Sequence, residues 1–179
     1  LRLEANKQNI MFAYSISKFF KINKKNFLKS LISFKGLKHR HEIFFKFKNN
    51  LFINDSKATS FESTKYALQS NNNIIWITGG QPKKNDKMNI QKFKKKIKKV
   101  YIIGNHTSFF VKQIKNKVKY EITNNLTTTI RKIFKFLVRK EKLTILFSPA
   151  SASYDQYSNF VERGEKFKKL VKFYAKKFN

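Results

Sequence analysis

Leu51 to Thr59 reads LFINDSKAT. Three apolar residues give way at once to an amide, a carboxylate, a hydroxyl, an ammonium and, after one alanine, a second hydroxyl. A short apolar run that stops at polar and small residues has the pattern of a buried strand. The pattern of a strand ending in a polar, small-residue loop recurs twice, as IIWITGGQPKKND from Ile74 to Asp86 and as TILFSPASASYDQ from Thr144 to Gln156. Segments of helical period lie between these runs, near Phe61 to Gln69, Ile90 to Ile97, Thr107 to Lys115 and Leu126 to Leu137. Further strands are expected at 100–104 (VYIIG) and from Lys119 to Ile122. A last helix is expected from about Tyr157 to Phe178, with Phe167, Leu170, Val171, Tyr174 and Phe178 forming a core stripe. Strands alternating with helices predict an α/β fold, a mostly parallel sheet with helices on both faces.

The chain ahead of this alternation has a different period. Residues 6 to 20 place Ile10, Ala13, Tyr14, Ser17 and Phe20 at helical spacing, and Asn26 to Phe34 does the same with Phe27, Leu28, Leu31 and Ile32. Gly36 then acts as a stop signal. EIFFKFKNNLFIND, from Glu42 to Asp55, reads as two strands joined at Asn49-Asn50.

With 41% hydrophobic and 16% aromatic residues the chain can bury a core, and without cysteine it has neither disulfides nor thiolate metal sites. No apolar run approaches the roughly 18 residues of a membrane span. The first residues, LRLEANKQN, carry no apolar signal region, so a cytoplasmic protein is expected. Forty Lys and Arg against 10 Asp and Glu give a formal charge of +30. Such a field attracts nucleic acid, and a basic nucleic-acid-binding protein is one alternative reading. The lysines are spread along the whole chain, however, and Asn, Ile, Phe and Tyr are abundant with them, as A/T-rich codons dictate. The reading adopted is therefore a solvated basic surface with no specific nucleic-acid partner.

In open α/β sheets, ligands bind outside the carboxyl ends of the strands, where loops converge and helix N-termini point. The three loops offer Asp55, Lys57, Thr59, Lys83, Ser151 and Ser153 to one crevice. Ammonium groups, hydroxyls and backbone N–H groups suit an anionic ligand with carboxylate or phosphate groups, and Asp55 suits a sugar hydroxyl, a metal or an amine. Asp55 and Ser56 also suit the cap of the following helix, and Gly79-Gly80 an ordinary turn. There is no phosphate-cradling G-x-x-x-x-G-K-[ST]. His39, His41 and His106 lack zinc spacing, and no metal ligands are expected.

INDSKATSFESTKYAL, GGQPKKND and LFSPASASYDQYSNFVERGEKFKKLV together resemble the C-terminal domain of the Mur ligases, in the branch that adds D-glutamate. GLKHRHE, and the N-x-x-N of Asn6 and Asn9, resemble the entry to that domain and the end of the central ATPase domain. The resemblance implies a Rossmann-like sheet over residues 38–179, preceded at 1–37 by the helical tail of the ATPase domain. It implies ATP-dependent amide formation, in which the amine of D-glutamate attacks a phosphorylated carboxylate of UDP-N-acetylmuramoyl-L-alanine. Asn6, Asn9, Arg40 and Asp55 would lie along ATP, and Lys57 would approach its phosphates as the catalytic residue. Thr59, Lys83, Ser153 and the Phe160 region would hold D-glutamate. Mg2+ is implied by the family, with its ligands outside this chain, as is a monomeric complete enzyme. Leu3-Glu4-Ala5 departs from the family's Gly-x-His, Ser151 stands where cysteine is common, Tyr154 where leucine is, and Gln81-Pro82 replaces an acidic-glycine pair. The uridine-nucleotide domain and the P-loop have no counterpart in these residues. The expectation is a ligase part inactive by itself, with a non-catalytic remnant as the other alternative.

Overall fold

The computed structural model describes residues 4–137 and 142–178. The chain divides into two units, Leu1–Leu37 and Lys38–Asn179. The first holds two helices, α1 (Glu4–Phe19) and α2 (Lys24–Ser33). Lys21 takes the left-handed region at φ 52° and Ile22 N donates to Ser17 O at 2.8 Å, which closes the turn between them. Asn23 caps α2 by accepting from Asn26 N. The Tyr14 and Phe27 rings meet with centroids 5.1 Å apart. Among the described residues α2 buries none, and Met11, Phe12, Phe19 and Ile32 are exposed.

The second unit opens with an antiparallel hairpin, β1 (Glu42–Phe47) and β2 (Asn50–Asn54). Its turn falls on Lys48-Asn49, one residue earlier than the asparagine pair predicts. Asn50 is held inside β2 because its buried amide accepts from Leu143 N at 2.9 Å and donates to Phe47 O. Lys48 therefore takes the left-handed position, at φ 51°.

The rest alternates as α3 (Phe61–Ser70), β3 (Ile74–Gly79), β4 (Ile97–Ile103), α4 (Thr107–Ile114), β5 (Tyr120–Asn124), α5 (Leu126–Phe136), β6 (Thr144–Phe147) and α6 (Phe160–Lys177). The expected helix over 90–97 is only a 3-10 turn, Ile90–Phe93. Ile90 and Phe93 are three residues apart and both buried, which suits three residues per turn. Ile97 instead pairs with Ile74 and starts β4.

The last helix starts at Phe160, three residues later than expected, because the Asn159 side chain accepts from Val161 N and Glu162 N, both at 2.9 Å. Asn159→Ala should destabilise by about 1 kcal/mol and lower the melting temperature by roughly 2–4 °C. An unchanged thermal transition would show that the cap does not anchor α6.

The sheet order is β1-β2-β6-β3-β4-β5, parallel except for β1. Side chains alternate between two cores. Phe52, Ile75, Ile77, Ile145 and Phe147 face α5 and α6, and the Phe167, Val171 and Tyr174 stripe packs there. Ile53, Ile74, Trp76 and Leu146 face the other core, with Phe61 and Leu68 of α3 and Phe110 and Ile114 of α4. Both faces are thus covered, which is what makes Ile74–Gly79 apolar on both sides. The chain leaving β3 enters the α3/α4 face, whereas the chain leaving β6 enters α6 on the opposite face. Neighbouring strands whose connections part in this way open a crevice at their carboxyl ends.

Candidate functional site

β2 ends on three polar residues that the core side of the crevice engages. Asn54 Oδ1 accepts from Ser56 N at 3.2 Å, so its Nδ2 points at His39 Nδ1, 2.9 Å away. The His39 ring proton is thereby left on Nε2, which faces Glu165 at 3.4 Å. Burial holds His39 below its usual pKa, so this is a contact of a neutral ring.

Asp55 is 6% exposed. Its carboxylate accepts from His41 N at 2.9 Å and from Ser148 Oγ at 2.7 Å, and burial pushes its pKa up to about 6 against these bonds and the charge of Arg40. It does not cap the helix that follows: Ser60 is the N-cap of α3. Arg40 is exposed on the turn before β1, and Lys57 is exposed with its ammonium 5.3 Å from the Phe160 ring centroid. Thr59 is half-buried immediately ahead of the cap.

The loop after β3 is fixed at both ends. Gln81 and Ala152 exchange two backbone hydrogen bonds, each 2.9 Å. Asp86 Oδ2 accepts from Phe61 N, the first residue of α3, at 2.9 Å, and Asp86 N donates to Lys83 O. Gln113 on α4 accepts from Met88 N and donates to Asp86 O. Lys83 therefore projects, exposed, from a short loop tied to the start of α3 on one side and to the β6 loop on the other.

The loop after β6 is drawn inward. Pro149 O accepts from Thr78 Oγ1 at 2.8 Å and from Gly79 N at 3.0 Å, and Ala150 turns the chain at φ 58°. Ser151 and Ser153 are buried, and Ser153 O closes a turn by accepting from Gln156 N and Tyr157 N. Arg163 lies behind all three loops, 1% exposed, with its guanidinium held down to about 10 by burial and so charged at neutral pH.

The structure thus gathers the segments bearing Asp55, Lys57, Thr59, Lys83, Ser153 and Phe160 at one rim. Asn6 and Asn9 lie on α1, one turn apart, in the other unit. Among the described residues no three His, Asp or Glu side chains form a metal-binding group, and no helix is long and apolar enough to cross a membrane. Sequence reasoning missed Ser148, Asp86 and Arg163. Ser148 and Asp86 stand inside the quoted strand-end motifs, but nothing there sets them apart from the neighbouring polar residues. Arg163 stood inside a motif, but an arginine in a chain this basic gives no sign that it is buried.

No family model matches the chain. UDP-N-acetylmuramoylalanine–D-glutamate ligase from Wolbachia sp. subsp. Brugia malayi is 42% identical over 168 residues, which are 93% of this chain and 34% of that protein. The ligase of the same name from Rickettsia felis is 38% identical over 169 residues, 93% of this chain and 38% of that protein. The chain spans about a third of the length of the curated relatives it matches. Among solved structures, MurF from Acinetobacter baumannii superposes with a TM-score of 0.70 at 15% identity, covering 94% of this chain and 38% of that one. MurF ligase from Thermotoga maritima, in complex with ADP, gives 0.57 at 13% identity, covering 84% and 34%. At these identities the two structures bear on the fold alone.

Proposed function

Because the chain belongs to the Mur ligase family and matches the C-terminal third of its D-glutamate-adding members, we propose that it is the acceptor-binding part of an ATP-dependent acid–amino-acid ligase. That ligase would join D-glutamate to UDP-N-acetylmuramoyl-L-alanine in the cytoplasm, in the synthesis of peptidoglycan precursor. The observation that carries this reading is the tying together of the three strand-end loops, through Gln81 with Ala152 and Phe61 with Asp86.

Lys83 and Thr59 then flank one carboxylate of D-glutamate, and Ser153 with the Phe160 backbone the other. An ammonium joined by hydroxyls and N–H groups grips a carboxylate by charge-assisted hydrogen bonds. Holding both carboxylates fixes the direction of the amine, so the contribution of this part to the reaction is positioning. Lys57 beside Phe160 stands towards the phosphates. Asp55 suits a ribose hydroxyl, since each of its oxygens accepts one bond and keeps a second lone pair. Arg40 suits the same nucleotide. ATP would supply the phosphoryl group that activates the carboxylate of UDP-N-acetylmuramoyl-L-alanine, which the D-glutamate amine would then attack with loss of phosphate.

The test is the steady-state kinetics of the ligase that contains this chain. Lys83→Ala should raise KM for D-glutamate by at least roughly tenfold, the worth of one hydrogen bond to a charged group, and leave KM for ATP unchanged. Wild-type kinetics with D-glutamate in that variant would take Lys83 out of the site, and no turnover of D-glutamate by the unmodified ligase would end the reading.

A further inference from the structure

Among the described residues Arg163 is the one buried cation in the crevice wall, and the roles assigned above leave it without a task. Its Nε donates to Ser56 Oγ at 3.1 Å, Nη1 to Ala152 O at 3.1 Å, and Nη2 to Ser56 O at 2.9 Å and to Ser151 O at 3.0 Å. All four acceptors are neutral oxygens. They belong to the loops after β2 and β6, while the donor belongs to the first turn of α6. The Ser56 hydroxyl that accepts from Nε itself donates to Phe160 O at 2.8 Å.

The third loop is reached by packing. Gly80 lies so close that a Cβ there would come within 3.1 Å of Nη1 and collide with Ala152 O. The next residue, Gln81, makes the two-bond bridge to that same Ala152. Four segments that carry proposed ligand contacts therefore converge on a single planar group: Lys57 and Thr59 follow Ser56, Lys83 follows Gln81, Ser153 follows Ala152, and Phe160 opens α6.

A guanidinium presents its donors in a rigid fork, whereas an ammonium is a point donor on a flexible stem. Only the fork can hold these four acceptors on two loops at fixed mutual angles. Taking a charge out of water is costly, so the sequence keeps one here against a tendency to replace it by an apolar side chain.

We propose that Arg163 is a positioning residue for the acidic amino-acid substrate. It sets the spacing between the loop after β2, which bears Thr59, and the loop after β6, which bears Ser153, and through Ala152 it fixes the base of the Lys83 loop. This rests on the reading of the crevice as a D-glutamate site, and it specifies what makes that site the right width for two carboxylates.

The experiment has one arm that needs no ligand. In Arg163→Lys, amide hydrogen exchange followed by NMR should be roughly tenfold or more faster at Gln81 and Ala152, with Trp76 and Ile102 in the sheet unchanged. Equal protection of Gln81 and Ala152 in both proteins overturns the proposal. If the lysine variant does not fold, Ser56→Ala, which removes the Nε acceptor together with the bond to Phe160 O and leaves the three carbonyl acceptors of Arg163 in place, should show the same local pattern at smaller amplitude, and its absence there is equally decisive.

The second arm is kinetic. In the ligase containing the chain, Arg163→Lys should raise KM for D-glutamate by roughly tenfold, with kcat and KM for ATP changed by no more than about twofold. A parallel loss in kcat and both KM values would mean a merely structural role and would sink the idea. Failure of the unmodified ligase to use D-glutamate would count against the substrate reading alone, since the exchange arm still decides whether Arg163 ties the loops.

Discussion

Replacing Gly79 with alanine is expected to lower the melting temperature by about 10 °C or more. Gly79 is the last residue of β3, paired with Ile103 of β4, and its φ is +126°, a conformation L side chains rarely adopt. The backbone is pressed from both sides. On the β4 side a Cβ would collide with the Ile103 carbonyl oxygen and lie 2.8 Å from the Ile103 C and N atoms. On the β6 side Gly79 N donates to Pro149 O at 3.0 Å, which prevents the strand from sliding away. Every obstacle is main chain, so no rotamer change relieves it. The carboxyl ends of β3 and β4 must part, or the Pro149 bond must break, and either opens the core beneath. Backbone strain alone contributes roughly 1–3 kcal/mol, and the overlap brings the total to about 4 kcal/mol or more. Gly36→Ala is the control: its φ is +86° but nothing lies within 4 Å of a Cβ there. It should show only the conformational part, roughly 1–2 kcal/mol. Thermal melts of both variants check the prediction. Equal transitions for Gly79→Ala and the wild-type chain would mean that the close approach at Ile103 does not exist in solution.

Gly79 also marks where sequence reading ends. Its place in a strand-ending loop is legible, because ITGG interrupts an apolar run and the two neighbouring loops do the same. The direction of the sheet follows from helices between strands, and the core stripe of α6 from the spacing of Phe167, Val171 and Tyr174. Features set by a single side chain in three dimensions are not legible. Asn49-Asn50 is a strong turn signal, but the buried Asn50 amide is needed by Leu143 N, 93 residues away, and the turn moves. KFKKKIKK has helix-forming lysines, but Ile97 is taken by pairing with Ile74. In the crevice, lysines and hydroxyls announce an anion site. The groups that hold those residues in register, Arg163, Asp86 and Ser148, act through contacts at sequence separations that periodicity does not encode.

Asp55→Asn is expected to stabilise the chain at neutral pH by about 2–3 kcal/mol. The carboxyl is buried, and its pKa rises from 3.8 to about 6, with desolvation as the leading cause. The folded form therefore binds this proton more tightly than the unfolded form does. Stability from this group is fully present below the unfolded value of 3.8, falls as pH rises towards 6, and stays lost above it. A shift of about two units corresponds to roughly 3 kcal/mol between those limits. An asparagine of the same shape escapes the penalty and can keep the bonding pattern. Its Oδ1 accepts from His41 N as before, and its Nδ2 donates to Ser148 Oγ, which remains free to donate to Thr64 Oγ1, 2.9 Å away. Urea unfolding of both proteins at pH 4 and pH 7.5 measures the effect: nearly equal stabilities at the lower pH, and the variant ahead by about 2–3 kcal/mol at the higher. A variant less stable at pH 7.5 would show that the hydrogen bonds from His41 and Ser148 outweigh desolvation and that Asp55 titrates near its ordinary value. A chain that keeps a buried carboxylate ionised at such a cost retains it for what the charge does, because stability alone favours the amide. In the ligase, the same variant should keep its KM for D-glutamate and raise its KM for ATP, which places the benefit of the charge on the nucleotide side of the crevice.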